Sequence, residues 1–434
     1  MRVAVIGAGI AGVCSAFELA ADGHEVTVFE RRGSVAAESS FAHGGLLAPA
    51  YLTAWSALGR RALLQPRRKH SSLQLSTAKL LSPALWRAAR FNPEAARRLQ
   101  PLLSYSQARQ AELRHALQLD YERSEGLLML LRSGRELAAV QPGLALLSEL
   151  GLPHKQLDAA ECLALEPGLS PDTPLQGGIH LPQDEIGNCR QFAHLMRSEA
   201  RRLGARFRFH TTVQHIEAGA QPQLLHAYTP PEEAQTLSAE SETGGDTRPE
   251  TMEPQLERFD AILICAAGDT AALLKPLGLK LPLQTWQGYS ITAPLRQIEA
   301  HPDLGPRSGL VDAQYHVALS RIGQRVRVTG VTEIGGHATQ LSARAVGTLH
   351  KVLHDWFPGA AQHSGIQRWR GARSRVADGL PLLGASGLAG IWLNTAYADD
   401  GWALANGAAR LLADQLAGRA PAIDGAGMDI SRLG

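Results

Sequence analysis

Gly7-Ala8-Gly9-Ile10-Ala11-Gly12 restricts this chain more than any other stretch of its 434 residues. It is entered from the apolar run Val3 to Ile6 and left through a helix-forming run, Val13 to Ala21, that stops at Asp22-Gly23. A short run with no polar interruption, ending in glycine, reads as a strand buried on both faces of a parallel sheet. Glu25 to Phe29 supplies a second such strand and stops at Glu30, so a complete strand, helix and strand unit is predicted. The spacing has a physical basis. Gly7 permits the tight turn, Gly9 lets backbone approach a diphosphate, and Gly12 lets the helix pack closely on the strand. The free N–H groups and dipole of the helix N-terminus then favour negative charge. Glu30 stands 23 residues beyond Gly7, where a carboxylate accepts hydrogen bonds from the hydroxyls of an adenosine ribose. These residues predict dinucleotide binding without separating a flavin from a nicotinamide.

A chain of this length is expected to form two domains. With 43 basic and 41 acidic residues the charge is nearly balanced, which excludes a nucleic-acid-binding surface as the main function. Cys14, Cys162, Cys189 and Cys265 lie far apart and offer no metal-ligand spacing, so buried thiols and no metal site are expected. No apolar run reaches the ~18 residues of a membrane span, and the N-terminus shows no leader pattern. A cytoplasmic protein is expected. The basic cluster Arg60, Arg61, Arg67, Arg68 and Lys69 around Pro66 reads as a solvated helix face, or as a peripheral contact with anionic lipid on the inner face of the membrane.

Along the chain, an α/β sheet gives way to a helical excursion, resumes, gives way to an antiparallel excursion and resumes again. The expected fold is α/β: a doubly wound, Rossmann-like nucleotide domain interrupted by an α+β substrate domain with a mixed or antiparallel sheet. Residues 1–52, 185–275 and 364–430 are assigned to the first, and 53–184 and 276–363 to the second. Thr229 to Glu257 carries eight acidic residues against one arginine and few apolar groups, and is expected to be a disordered insertion. Ala261 to Cys265 is a buried strand running into Ala266-Ala267-Gly268, the kind of small-residue turn beside which open α/β sheets bind ligands. Leu310 to Arg321 and Arg325 to Val331 alternate around Gly323 as a hairpin. Ser39 to Leu46 is small and glycine-rich, suited to backbone that approaches a ligand; His43 within it is read as a hydrogen-bonding or exposed residue rather than a base or a covalent flavin link.

Further blocks carry a resemblance. They are Gly178-Ile179-His180-Leu181-Pro182-Gln183-Asp184-Glu185, Gly288-Tyr289-Ser290, the stretch around Arg373 through Gly384, Trp392-Leu393-Asn394-Thr395 and Gly401 to Gly407. With the first glycine loop, they make the chain resemble the D-amino acid oxidase superfamily of FAD proteins, and within it the bacterial D-amino acid dehydrogenase small-subunit family. The likeness spans nearly the whole chain outside the acidic insertion. It implies FAD as cofactor, held by Gly7, Ala8, Gly9, Ile10, Ala11, Gly12 and Glu30 at the adenosine diphosphate. Arg31, Gly45, Val213, Ala267 and Gly268 match further positions that line FAD, and Gly401 and Trp402 match the start of the helix facing the flavin pyrimidine. Arg373 matches the arginine that pairs with the substrate carboxylate, with Tyr315 and Tyr51 as further substrate-binding candidates.

The implied reaction is hydride transfer from the Cα of a small amino acid, a D-amino acid first, to flavin N5, giving an imino acid that water hydrolyses to a 2-oxo acid and ammonia, with no dedicated acid or base. The electrons pass to a quinone of the respiratory chain or to oxygen. A glycine or sarcosine oxidase, and a non-catalytic electron-transfer subunit, stay open as alternatives. The chain departs from the family at Ala396-Tyr397-Ala398, where Gly-His-Gly is usual, and at Asp399 and Asp400 beside the flavin edge. Ser374-Arg375-Val376 replaces the usual proline and threonine, and Arg375 is expected to meet a second carboxylate or Asp400.

Overall fold

The computed structural model describes residues 1–62, 73–75, 93–229, 253–297, 304–334 and 341–433. Its first sheet has six strands, in the order Leu382–Ala385, Ile391–Thr395, Ala261–Ile264, β1 (Arg2–Ile6), β2 (Glu25–Phe29) and Arg206–Arg208. All neighbours run parallel except the edge strand Leu382–Ala385. In β1, β2 and Ala261–Ile264 nearly every residue is buried, as the uninterrupted apolar runs require of strands covered on both faces.

Helix α1 (Ile10–Ala21) crosses one face of this sheet beside the helices Cys189–Arg202 and Gly401–Leu416, and their apolar faces fuse into one core. The close crossing depends on glycine. Gly7 has φ +102°, and a Cβ at Gly12 would stand 1.9 Å from the Gly7 carbonyl oxygen. The opposite face is covered by a three-stranded sheet, Thr211–Glu217, Gln223–Tyr228 and Gln255–Arg258, with Ile216 and Leu224 packed beneath Ile6, Ile262 and Ile264.

The expectation of disorder from Thr229 through Glu257 is therefore corrected at its end. Gln255–Arg258 pairs antiparallel with Gln223–Tyr228, and Glu257 takes a hydrogen bond from Arg208 and meets His226 Nε2 at 3.0 Å. The acidic composition concealed a strand whose glutamate has cationic and imidazole partners inside the fold. Residues 230–252 lie outside the described residues, as do the side chains of the basic cluster from Arg60 to Lys69.

The second sheet has ten strands. It is mixed: Val317–Ile322 and Arg325–Ile334 form the expected antiparallel hairpin around Gly323, but the expected arm Leu310 to Arg321 is broken by a turn into Gly309–Asp312 and Val317–Ile322, and Gly309–Asp312 runs parallel to Ser124–Leu131. The helix Ala343–Trp356 backs it with Leu349, Val352 and Trp356. Gln367–Arg375, which the division by sequence groups with the nucleotide domain, hydrogen-bonds as an edge strand of this second sheet, antiparallel to Gln284–Pro294. That pairing hangs the second sheet over the carboxyl ends of the first.

Charge also ties the helices of the first core together. Glu18 on α1 is 1% exposed and accepts hydrogen bonds from Arg109 at 2.8 Å and Arg410 at 2.9 Å. Arg410 also reaches Asp22 and Asp414, and Arg419 joins Asp22 from outside. Burial pushes the Asp22 carboxyl up, but hydrogen bonds from Arg410 and Arg419 outweigh it and hold the group below its usual range. Arg410→Leu leaves Glu18 with Arg109 alone and is expected to cost about 1.5–3 kcal/mol of stability. An unchanged midpoint in chemical denaturation would remove this network from the account.

Candidate active site

The carboxyl ends of the parallel strands open into a cavity of about 420 Å³. One end is built by the turn after β1 and the first turn of α1, where Gly7, Gly9, Ile10 and Ala11 form the floor. The Ile10 N–H donates to Ser40 Oγ at 3.1 Å, which fixes the small-residue loop over the helix N-terminus. Beside it, Glu30 ends β2 with its carboxylate held by two backbone donors, Ala8 N–H at 2.7 Å and Arg32 N–H at 2.8 Å. Burial raises the Glu30 pKa while these two hydrogen bonds oppose the rise. Arg31 spans the rim, pairing with Glu38 and with Asp269 at 2.8 Å each. Val213, on the strand Thr211–Glu217, and Ala267 complete the walls.

The other end lies under the second sheet. Gly401 opens the last helix there, and the preceding residues turn sharply, with left-handed backbone at Ala396 (φ 65°) and Ala398 (φ 53°). Arg373 reaches the cavity from the edge strand Gln367–Arg375 and is ion-paired with Asp399. Its guanidinium lies across the paired strand at Gly288, where a Cβ would come within 2.7 Å of Cζ. Glycine at 288 is thus the residue that makes room for Arg373.

A second cavity of about 160 Å³ shares His43, Arg373, Ala398 and Asp399 with the first. Tyr51, Trp55, Trp286, His316, Arg375 and Asp400 extend it. Tyr51 and Trp55 come from α2 (Pro49–Ala62), whose first turn is held by a buried carboxylate: Asp184 accepts from Ala50 N–H at 3.0 Å and Tyr51 N–H at 2.9 Å. Burial, with Asp399 and Asp400 nearby, pushes the Tyr51 phenol well above its usual range, so it stays neutral. Arg375 lies 4.2 Å from the centroid of the Trp286 ring, a stacking contact that sequence alone did not anticipate.

The sequence candidates separate into groups. Gly7, Gly9, Ile10, Ala11, Glu30, Arg31, Val213, Ala267, Gly401 and Arg373 line the large cavity, and Tyr51 lines the small one. Ala8, Gly12 and Gly45 line neither cavity. Gly45 (φ +81°) marks a backbone crossing, its carbonyl accepting from Gly187 N–H at 2.9 Å. Gly268 also falls outside the lining, and the Trp402 side chain is turned wholly into the core against Tyr121 and Phe192. Tyr315 is the clearest correction. It is 5% exposed, packs in the core of the second sheet beneath the Arg132 guanidinium and lines neither cavity. The turn between Gly309–Asp312 and Val317–Ile322 directs the next residue, His316, toward the small cavity instead. Ser40, Trp286 and Asp399 are lining residues not chosen individually from the sequence; the glycine-rich stretch Ser39 to Leu46 and the pair of acids before Gly401 carried the signal for two of them, and nothing marked Trp286.

His43 sits where the two cavities meet. Its Nδ1 accepts the Gly45 N–H at 3.1 Å, which leaves the proton of the neutral ring on Nε2. Burial, then the nearby Arg373 and Arg327 charges, pull its pKa down to about 3. A histidine so depressed stays neutral in the folded protein where the unfolded chain takes up a proton. It therefore withdraws stability as pH falls from about 6.5 toward about 3. The ring resonances of His43 are expected to show no titration down to pH ~4, whereas an inflection near 6.5 would contradict this placement.

Comparisons with known proteins agree in kind. The family model described as FAD dependent oxidoreductase matches residues 2–415. A protein named D-amino acid dehydrogenase from Cereibacter sphaeroides is 35% identical over 449 aligned positions, covering 100% of this chain and 95% of that protein. One of the same name from Rhizorhabdus wittichii is 34% identical, with 100% of both chains covered. Among solved structures, glycine oxidase from Geobacillus kaustophilus superposes with a TM-score of 0.71 at 21% identity, covering 99% of each chain. L-proline dehydrogenase from P. horikoshii gives 0.71 at 16% identity, covering 100% of this chain and 97% of that one.

Proposed function

We propose that this chain, which belongs to the FAD dependent oxidoreductase family, oxidises the amine-bearing carbon of a small D-amino acid to an imino acid, which water hydrolyses to a 2-oxo acid and ammonia. The electrons then pass to a separate acceptor, a respiratory quinone or oxygen. The observation that carries this reading is the position of Arg373 at the seam of the two cavities, with room for its planar fork kept open by Gly288. A guanidinium pairs with a carboxylate through two charge-assisted hydrogen bonds, so an arginine there recognises an amino or hydroxy acid by its acid end. The names of the full-length relatives favour the D-amino acid among these.

The large cavity suits FAD. At Gly9 a Cβ would meet only Ser40 Oγ at 3.6 Å, so the glycine leaves a cradle at the N-terminus of α1 where a diphosphate can approach backbone. In this reading Gly7 to Gly12 hold the diphosphate and Glu30 the ribose, with Arg31, Val213 and Ala267 along the adenosine half. Gly268 stands in the same turn as Ala267, and Gly45 and the first amides of the helix at Gly401 and Trp402 support the flavin end. Residues 1–52, 185–275 and 364–430 carry the cofactor, apart from the edge strand Gln367–Arg375 lent to the roof, and residues 53–184 and 276–363 cover it. FAD, when bound, supplies the two-electron acceptor for the hydride that leaves Cα. The protein's own contribution is orientation: Arg373 anchors the carboxylate so that Cα faces the cofactor, which turns a chance encounter into a held geometry. Tyr51 and Trp55 shape the small cavity for the side chain.

Arg373→Leu removes the anchor while leaving the diphosphate cradle intact. KM for the amino acid is expected to rise by about 10- to 100-fold, the scale of a lost hydrogen bond to a charged group, with FAD content unchanged. An unaltered KM would exclude Arg373 from substrate binding, and loss of FAD together with activity would assign it to the cofactor instead.

A further inference from the structure

The carboxylate that occupies Arg373 comes from the chain itself. Arg373 Nη1 donates to Asp399 Oδ1, and both residues line both cavities. The position is set by backbone. The Ala398 N–H donates to the Ser374 carbonyl at 3.0 Å and Arg375 bridges Tyr397, so the segment before the last helix is stitched to the strand that bears Arg373. Ala396 and Ala398, both left-handed, turn the chain so that Asp399 arrives beside the guanidinium. A ligand carboxylate that pairs with Arg373 must therefore share it with Asp399 or take its place.

The charged side chains that line the small cavity balance, with the Arg327 guanidinium, bonded to the His43 carbonyl at 3.1 Å, outside that lining. Arg373 and Arg375 face Asp399 and Asp400. His43 and His316 have pKa values lowered by burial and Tyr51 has one raised by burial, so these three carry no charge at neutral pH. A monocarboxylate entering this cavity adds an uncompensated negative charge within reach of Asp399. A zwitterion does not. Its carboxylate takes the guanidinium, and its ammonium, one carbon away, meets the aspartate just released. The Arg373 and Asp399 side chains are 26% and 49% exposed, and a pair so open to solvent is worth little by itself, so little is lost when it opens to admit the ligand.

Building on the proposed role of Arg373, we infer that Asp399 is the specificity-determining partner of the substrate ammonium, and that the Arg373–Asp399 pair is a template for α-amino acid zwitterions. The pair attracts the zwitterion and repels the 2-hydroxy acid or simple carboxylic acid of the same shape, the combination that yields discrimination between near-isosteres. The substrate class is thereby an amino acid whose α-amino group binds as the ammonium and passes a proton to solvent beside the half-exposed Asp399 before the hydride leaves Cα.

The test uses the FAD-loaded protein and ligands that carry no hydrogen on Cα and so cannot be oxidised there. The dissociation constants of 2-aminoisobutyrate and 2-hydroxyisobutyrate are measured from the perturbation of the bound-flavin spectrum, in wild type, Asp399→Asn and Arg373→Leu. Wild type is expected to prefer the amino compound by at least about tenfold, the scale of a close charge pair. Asp399→Asn should lose that preference, mainly by binding the hydroxy acid more tightly, with FAD content unchanged. A preference that survives Asp399→Asn overturns the inference while leaving Arg373 in place. If Arg373→Leu binds both ligands as well as wild type does, the role of Arg373 falls and the inference falls with it.

Discussion

The contact between Gly12 and the Gly7 carbonyl is the constraint on which the rest of the architecture depends. With no side chain at position 12, α1 lies close enough on β1 for its first amides to stand at the end of the strand. That approach puts the helix N-terminus, the carboxylate of Glu30 and the turn at Ala267 around one cavity. The interleaved chain then adds strands on either side of β1 and β2 without disturbing this end of the sheet. Neighbouring parallel strands drawn from distant parts of the sequence carry their carboxyl ends to the same edge, where an open α/β sheet binds its ligands.

A second constraint joins the two sheets. Gln367–Arg375 belongs by hydrogen bonding to the upper sheet, yet the chain passes directly from it into Leu382–Ala385 of the lower one. Arg373 stands on this bridge and fits because its partner strand offers no side chain at Gly288. The larger and the smaller cavity therefore meet at a side chain fixed by both layers. The charge network from Glu18 through Arg410 to Asp22 supports the same arrangement from behind, by tying α1 to the helix that begins at Gly401.

The nucleotide fold was legible because its signal is local: the glycine loop, the two apolar strands and Glu30 are contiguous, and their spacing has one physical reading. The hairpin at Gly323 was legible for the same reason, since alternation and a turn lie side by side in sequence. What could not be read depends on phase or on return of the chain. Tyr315 and His316 differ by one position, and only the turn geometry decides which faces the cavity. Glu257 looked like part of a solvated acidic run until Arg208 and His226 were brought beside it from other strands. The pairing of Asp399 with Arg373 spans 26 residues and two strands, so the acids before the last helix could be seen as unusual without revealing what they meet.

The central claim is that this fold places a D-amino acid against FAD. Anaerobic absorbance titration of the FAD-loaded protein with small D-amino acids, their L-enantiomers, glycine and sarcosine addresses it directly, because reduction of the bound flavin needs no knowledge of the electron acceptor. The account predicts that the oxidised flavin band bleaches on addition of a D-amino acid and recovers when an external electron acceptor is supplied. A protein that holds FAD tightly but is bleached by none of these compounds would contradict it.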